Sequence, residues 1–395
     1  MKHATVASLL VLIAFLFPAP DAARAGDEGA MKTWDGRHPI DRVVVTMVYF
    51  VPSDREPLPD WKERIEYYAK RVEQFHQREY QGQSQARAIV RDRPFISRRT
   101  TAQLREGDAN RIYWRTLEEV ADGIDFPREP GKTFRILLVL SDINWRPLED
   151  FYRVRPTEDG GFTFEGQFIN GLHHPGSGAG GARAAYLADR GAGWGLVSAD
   201  GWRVPYRGSD CVVYHEGVGH TIGLPHPEPG DGSVMSLGQY RGWINEAWLN
   251  PSQKERLGWS APDDTAAGNA SDLFTTFTAL PEPAVPAPDT DVTLKLRWPE
   301  GVELASLEVS IQTALGQPWR AIEVPAQDPA PDRISLGRFE EETPVSYRIR
   351  AKSADGQSVE LWGYLQVRRD PARPVLPEPD LVPPQERQPF AERGG

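Results

Sequence analysis

Apolar runs of two periods alternate along the first third of the chain. Arg42 to Val51 (RVVVTMVYFV) is β-branched and aromatic almost throughout, which predicts a buried strand. Pro57-Leu58-Pro59-Asp60 then offers a helix start with Asp60 as N-cap. Trp61, Ile65, Tyr68, Val72 and Phe75 follow at helical spacing, predicting an amphipathic helix to about Arg78 whose aromatic stripe packs into a core. A strand is expected within residues 84–98 (ARAIV), a helix charged on one side over 110–122, and a central strand over Phe134 to Leu140 (FRILLVL). This order suits a sheet covered by helices.

Farther on the pattern weakens. Gly160 to Gly195 is rich in glycine, including Gly176-Ser177-Gly178-Ala179-Gly180-Gly181, and reads as loop. Asn250-Pro251 begins a short helix running to about Trp259, with Asn250 its N-cap and Pro251 its first residue. Residues 263–290 are rich in Ala, Pro, Asp and Thr and read as a linker. Period-two alternation then takes over, in Val292, Leu294, Leu296 and Trp298, in Leu307, Val309 and Ile311, and in Val345, Tyr347 and Ile349. Short strands with Gly, Pro and Asp turns predict a small all-β sandwich over 291–368, immunoglobulin- or fibronectin-like. The Pro-rich, charged segment 369–395 is expected to be a disordered tail.

The N-terminal segment leads to the expectation of export. Lys2 and His3 precede an apolar run from Ala4 to Phe17, and Ala23-Arg24-Ala25 fits a cleavage site, so residues 1–25 read as a signal peptide. No later segment approaches the length of a membrane span, so no integral segment is expected after cleavage. The formal charge is −11, and becomes −12 once Lys2, Asp21 and Arg24 leave with the signal. Such a balance gives no general attraction to nucleic acid or anionic membrane. The single cysteine, Cys211, forms no internal disulfide and is expected to be a buried small hydrophobe. A secreted or periplasmic bacterial protein fits these features.

The strongest chemical signal is His215-Glu216-Gly217-Val218-Gly219-His220-Thr221-Ile222-Gly223-Leu224-Pro225-His226. Neutral imidazoles ligate zinc, and three protein ligands leave a fourth position for water, the mark of a catalytic site. Gly223 suits a left-handed helix end that turns His226 back toward the metal of His220. On a regular helix, His215 and His220 would stand roughly 140° apart, too far to share a face. Two readings stay open. A π-bulge near Gly217-Val218-Gly219 absorbs the extra residue; His215, His220 and His226 are then the zinc ligands and Glu216 the general base. On a regular helix Glu216, at i−4 from His220, is instead the first ligand, and Gly217 occupies the base position.

In these residues the chain resembles the metzincin clan of zinc endopeptidases. From His220 it reads H-x-x-G-x-x-H, the second half of that signature, whereas H-E-x-x-x-H has one residue more than the first half. Met235, within Ser233-Val234-Met235-Ser236, stands where the resemblance implies a Met-turn, and its short distance from His226 is most similar to matrixins and related bacterial families. Pro227 and Leu237 do not match the familiar subfamilies, and Tyr240 has no assigned role.

The resemblance implies a peptidase domain over 40–262, with a twisted sheet above the zinc helix. The fold class expected is therefore α+β followed by the all-β sandwich. It further implies that the glycine-rich loop shapes the cleft rim, that a water is activated on zinc with Glu216 as base, and that the substrate is a protein or peptide. Weaker readings are a structural zinc loop at His173-His174 and calcium at Asp159 or Asp231. Two rivals stand beside the secreted endopeptidase: an inactive binding protein with a degenerate site, and a metal hydrolase of a non-peptide amide. Sequence gives no oligomeric state.

Overall fold

The computed structural model describes residues 30–143, 182–236, 238, 242–262, 272–324 and 330–370, and the backbone of three strands between 152 and 174. The expected signal peptide, Gly176-Ser177-Gly178-Ala179-Gly180-Gly181, Asp159, Leu237, Tyr240 and nearly all of the tail lie outside the described residues, as do the side chains of His173 and His174.

A mixed sheet organises the first part. Strands β1 (Arg42–Val51), β2 (Gln85–Val90), β4 (Phe134–Ser141) and β9 (Ala192–Val197) run parallel in the order β2-β1-β4-β9. Short β3 (Phe95–Ile96) extends the β1 edge, and β8 (Ala182–Leu187) closes the other edge antiparallel to β9. Both faces of β1 are apolar, as its unbroken hydrophobic run requires. Val43, Val45, Met47, Tyr49 and Val51 point into one core, whereas Val48 and Phe50 point into another. In β4, Ile136, Leu138 and Leu140 join the first core and Leu137 and Val139 the second. Helix α1 (Trp61–Tyr80) covers the first face. Helix α3 (Ala109–Gly123), capped by Asp108 accepting from the Arg111 N–H at 2.8 Å, covers the second. Between them lies the single turn α2 (Thr101–Leu104).

Two sequence expectations need correction. Residues 182–195, the end of the glycine-rich stretch read as loop, lie mostly in β8 and β9. Their Ala and Gly content hides the strand signal, yet the glycines are there for contact: a Cβ on Gly193 would lie 2.3 Å from Thr221 Cβ. Asp60 precedes α1 but makes no side-chain cap. Its carboxylate instead accepts from Arg64 Nε at 3.1 Å and Nη2 at 2.8 Å, and from Gln312 Nε2 at 3.1 Å. By contrast Asn250 caps α6 (Pro251–Arg256) as its sequence suggests, accepting from the Gln253 N–H at 3.2 Å.

Strands β5 (Tyr152–Pro156), β6 (Phe162–Ile169) and β7 (Leu172–His174) form a separate antiparallel sheet. After helix α4 (Ala199–Trp202) and the segment carrying the histidines, the chain passes through α6 to a short helix, α7 (Leu273–Thr276), capped by Asp272. Strand β10 (Thr278–Glu282) then begins a second pair of sheets, so α7 and β10 correct the expectation that 263–290 is only a linker; Pro281 interrupts the alternation there. Strands β10, β11 (Asp291–Arg297) and β14 (Arg333–Arg338) pair in the order β10-β11-β14. Strands β12 (Leu304–Gln312), β13 (Arg320–Ile322), β15 (Thr343–Ser353) and β16 (Ser358–Val367) pair in the order β13-β12-β15-β16. All these pairings are antiparallel, and the expected alternating residues Val292, Leu294, Val309, Ile311, Val345, Tyr347 and Ile349 share one core.

Polar groups tie this unit to the first. Arg71 and Asp210, each 1% exposed, pair at 3.0 Å beneath α1. Asn245 accepts from Arg71 Nη2 and donates to the Phe277 carbonyl at 3.0 Å. Buried ions need such partners, since an isolated charge in a core is costly.

Candidate metal centre

The helix bearing the histidines starts regularly and then changes pitch. Helix α5 (Ser209–Tyr214) begins after Gly208, at φ 108°, and passes into a π turn over His215–Gly219. The His220 N–H bonds the His215 carbonyl, five residues back, so the additional residue is absorbed and both imidazoles share a face. The mismatch frees carbonyls, and Thr221 Oγ1 reaches those of Gly217 at 3.1 Å and Val218 at 2.9 Å. A short 3₁₀ turn, His220–Ile222, ends at Gly223 with φ 90°, the left-handed conformation that its lack of a Cβ permits. The chain then doubles back through Leu224 and Pro225 to His226.

Glycines bring the π turn close to its neighbours. A Cβ on Gly219 would lie 2.1 Å from Met235 Sδ, and a Cβ on Gly195 of β9 would lie 2.7 Å from the Glu216 carbonyl oxygen. Met235 is fully buried against the turn, in the Ser233–Ser236 segment. The pair Gly217 and Gly219 thus serves close packing, with Gly217 set against Leu138 of β4.

Three ring nitrogens converge. His215 Nε2 lies 2.8 Å from His220 Nε2 and 3.1 Å from His226 Nε2, and the last two are 3.2 Å apart. His215 Nδ1 stands 2.8 Å from the Val234 carbonyl, and His220 Nδ1 stands 2.7 Å from the Leu224 carbonyl. A carbonyl only accepts, so each Nδ1 carries the proton and each Nε2 presents a lone pair. Burial first, then neighbouring His220 and His226, hold the His215 imidazole well below its ordinary value, although the Val234 contact opposes the shift. His220 is pushed down to about 4, first by burial and then by His226, against the Leu224 contact. Both rings are neutral at pH 7, and convergent lone pairs repel unless a cation lies among them. The donor set therefore fits a metal ion, and neutral imidazole nitrogens at this spacing suit zinc.

Among the described residues, His215, His220 and His226 are the one group of three or more metal-ligating side chains whose donor atoms gather within 4.8 Å. Glu216, 9% exposed and next in the chain to His215, is not in that group. Nor is Cys211, which is fully buried, its thiol raised well above the ordinary range by burial and then by Asp210. Asp231, the calcium candidate among the described residues, is not in that group either. Its carboxylate accepts from the Ser233 N–H and from Asn250 Nδ2, each at 2.8 Å, and so pins the turn carrying Met235 to α6.

The carbonyls of Val234 and Leu224, which orient two imidazoles, carry no mark in sequence because backbone groups look alike at every position. A weak signal did exist for β9: Gly193 and Gly195 flank Trp194 at strand spacing, one face for the π turn and the other for the second core.

No family model matches the chain, and no curated protein does. Among solved structures, the chain is similar to metalloproteinase-II from Bacteroides fragilis, with 14% identity, a TM-score of 0.30, and coverage of 60% of this chain and 58% of that one. It is also similar to CopC from Methylosinus trichosporium OB3b, with 20% identity, a TM-score of 0.18, and coverage of 25% of this chain and 100% of that one. Likenesses this slight leave the site to be read from its own geometry. No helix among the described residues is long and apolar enough to cross a membrane.

Proposed function

We propose that the protein is an exported zinc-dependent endopeptidase, with His215, His220 and His226 as ligands and Glu216 as general base. The observation that carries this reading is the π turn, which sets His215 and His220 on one face while keeping Glu216 next in the chain. Bound zinc supplies Lewis acidity and brings the acidity of water into the neutral range. The chain's own residues do the rest. Val234 and Leu224 fix two rings so that their lone pairs face inward. Glu216 takes a proton from the attacking water and delivers it to the leaving amine. Met235 supports the turn from below through its contact with Gly219. We read the two C-terminal sheets as a sandwich that braces this domain.

Cleavage of a denatured protein by the mature chain, with zinc content measured beside it, tests the proposal. Chelator-sensitive cleavage by the wild type, with zinc retained but cleavage lost in Glu216→Ala, is the expected result. Loss of zinc in Glu216→Ala would make that carboxylate a ligand instead. A wild type that takes up no zinc would overturn the reading altogether.

A further inference from the structure

The charge of this chain is unevenly distributed. Between Arg87 and Arg115 stand eight arginines and no lysine, against Asp92, Glu106 and Asp108, a local balance of +5 in a chain of −11. The fold gathers part of that excess around a cleft of about 770 Å³ between β3, α2 and α3. It lies on the sheet face opposite the histidine cluster, over the core that holds Val48, Leu137 and Trp194. Arg98, Arg99, Arg111 and Arg115 line it, with Trp114 and Phe95 as apolar wall.

The acidic neighbours do not balance these cations. Glu119 pairs with Arg99 and also accepts from the Arg98 N–H at 2.8 Å and the Ser97 hydroxyl at 3.1 Å, so it is spent on the loop. Asp122 pairs with Arg128. Glu118 is exposed on the rim. Arg115 donates through Nη2 to the Leu104 carbonyl, while its Nε is buried and has no hydrogen-bond partner. Burial first, then Arg99 and Arg111, hold the Arg115 guanidinium below its ordinary value, although Glu106 and Glu119 oppose the shift. Like charges gathered around an open cleft cost stability, and a bound anion removes that cost.

We propose that this cleft binds a small tetrahedral oxyanion, a phosphate or sulfate group, between Arg98, Arg111 and Arg115. Guanidinium forks match such oxygens in a planar, paired geometry that lysine lacks, which accounts for a patch built solely of arginine. The chain's overall negative charge disfavours approach to an extended anionic surface, so the ligand is a dissolved ion rather than a lipid headgroup. The proposal is independent of the reading of the histidines.

Titration calorimetry of the metal-free chain with inorganic phosphate and with sulfate, at low ionic strength, tests it. Saturable binding is expected, weakened by roughly tenfold or more in Arg111→Gln, the loss of one charge-assisted hydrogen bond. Arg98→Gln, also exposed, should weaken it similarly without endangering the fold. Without added anion, Arg111→Gln should melt at or above the wild-type temperature, because a like charge has gone. Absence of saturable binding would overturn the proposal. So would equal binding by wild type and Arg111→Gln, which would place the anion elsewhere, at the histidines for example. Binding to phosphatidylglycerol vesicles but not to free phosphate would overturn it in favour of a membrane surface.

Discussion

Trp243 and Trp362 each sit in the core of the other's unit, and the Trp243 indole donates to the Trp362 carbonyl at 2.9 Å. Trp362, on β16, stacks on Tyr67 of α1 with ring centroids 5.2 Å apart. Trp243, past the turn that carries Met235, packs among the side chains of the C-terminal sheets. The two halves thus share side chains as well as surface. Trp362→Ala should cost about 3–5 kcal/mol and lower the stability of both halves together. Denaturant unfolding followed by probes placed in each half should give one coincident transition, in the variant as in the wild type. Separate midpoints would show that the halves fold independently.

The buried pair Arg71–Asp210 joins the same units through Asn245. Asp210→Asn should destabilise the protein by about 3 kcal/mol, because it leaves the Arg71 charge buried without its counter-ion. Replacing both residues by apolar ones should cost less than this single change. Urea midpoints of the single and double variants check the order, and a costlier double variant would refute it.

Gly219 and Met235 are coupled by contact alone. Gly219→Ala places a methyl 2.1 Å from Met235 Sδ and must shift the π turn or the thioether. Zinc affinity should fall by roughly 10- to 100-fold, as when ligand-orienting contacts are lost. Shortening the neighbour in Met235→Ala should restore part of that loss, so the two changes should not add. Competition with a chromogenic chelator measures all three variants. Strict additivity would separate the two residues.

Acid should weaken the fold through His76. Its imidazole is buried between Tyr214 and Ser84, and burial holds it down from 6.5 to about 3. Between those values the unfolded chain binds a proton that the folded chain does not. Stability is therefore fully present above pH 6.5 and is lost as pH falls toward 3. At about pH 4.5 the loss from this residue should be about 2–3 kcal/mol. His76→Gln should show a shallower decline between pH 7 and about pH 4.5 in urea titrations. An unchanged slope would assign the acid sensitivity to other groups.

How much could be read beforehand depended on whether the signal was local. The strand Arg42–Val51 and helix α1 stand almost where their periodicity places them, because each carries its own apolar face. The three histidines come together as the spacing around Gly217-Val218-Gly219 suggests, given a bulge. Strands β8 and β9 gave little local signal beyond the two glycines that flank Trp194. Their Ala and Gly residues have low strand propensity and are explained only by the helix lying against them. Asp60 has the residue type of a cap, yet Arg64 and Gln312, the latter far along the chain, outcompete the helix N-terminus for it.

The π turn at His215–Gly219 also bears on how such centres are sought. A pattern that counts residues assumes that each ligand pair lies one ordinary turn apart. Here the count is off by one while the convergence in space is kept, because the local pitch has changed to match. Insertions that would break a fixed string can therefore be silent in three dimensions, provided small residues give the wider turn room to pack. Searches for imidazole triads in divergent chains gain by letting the spacing float wherever glycines crowd the interval.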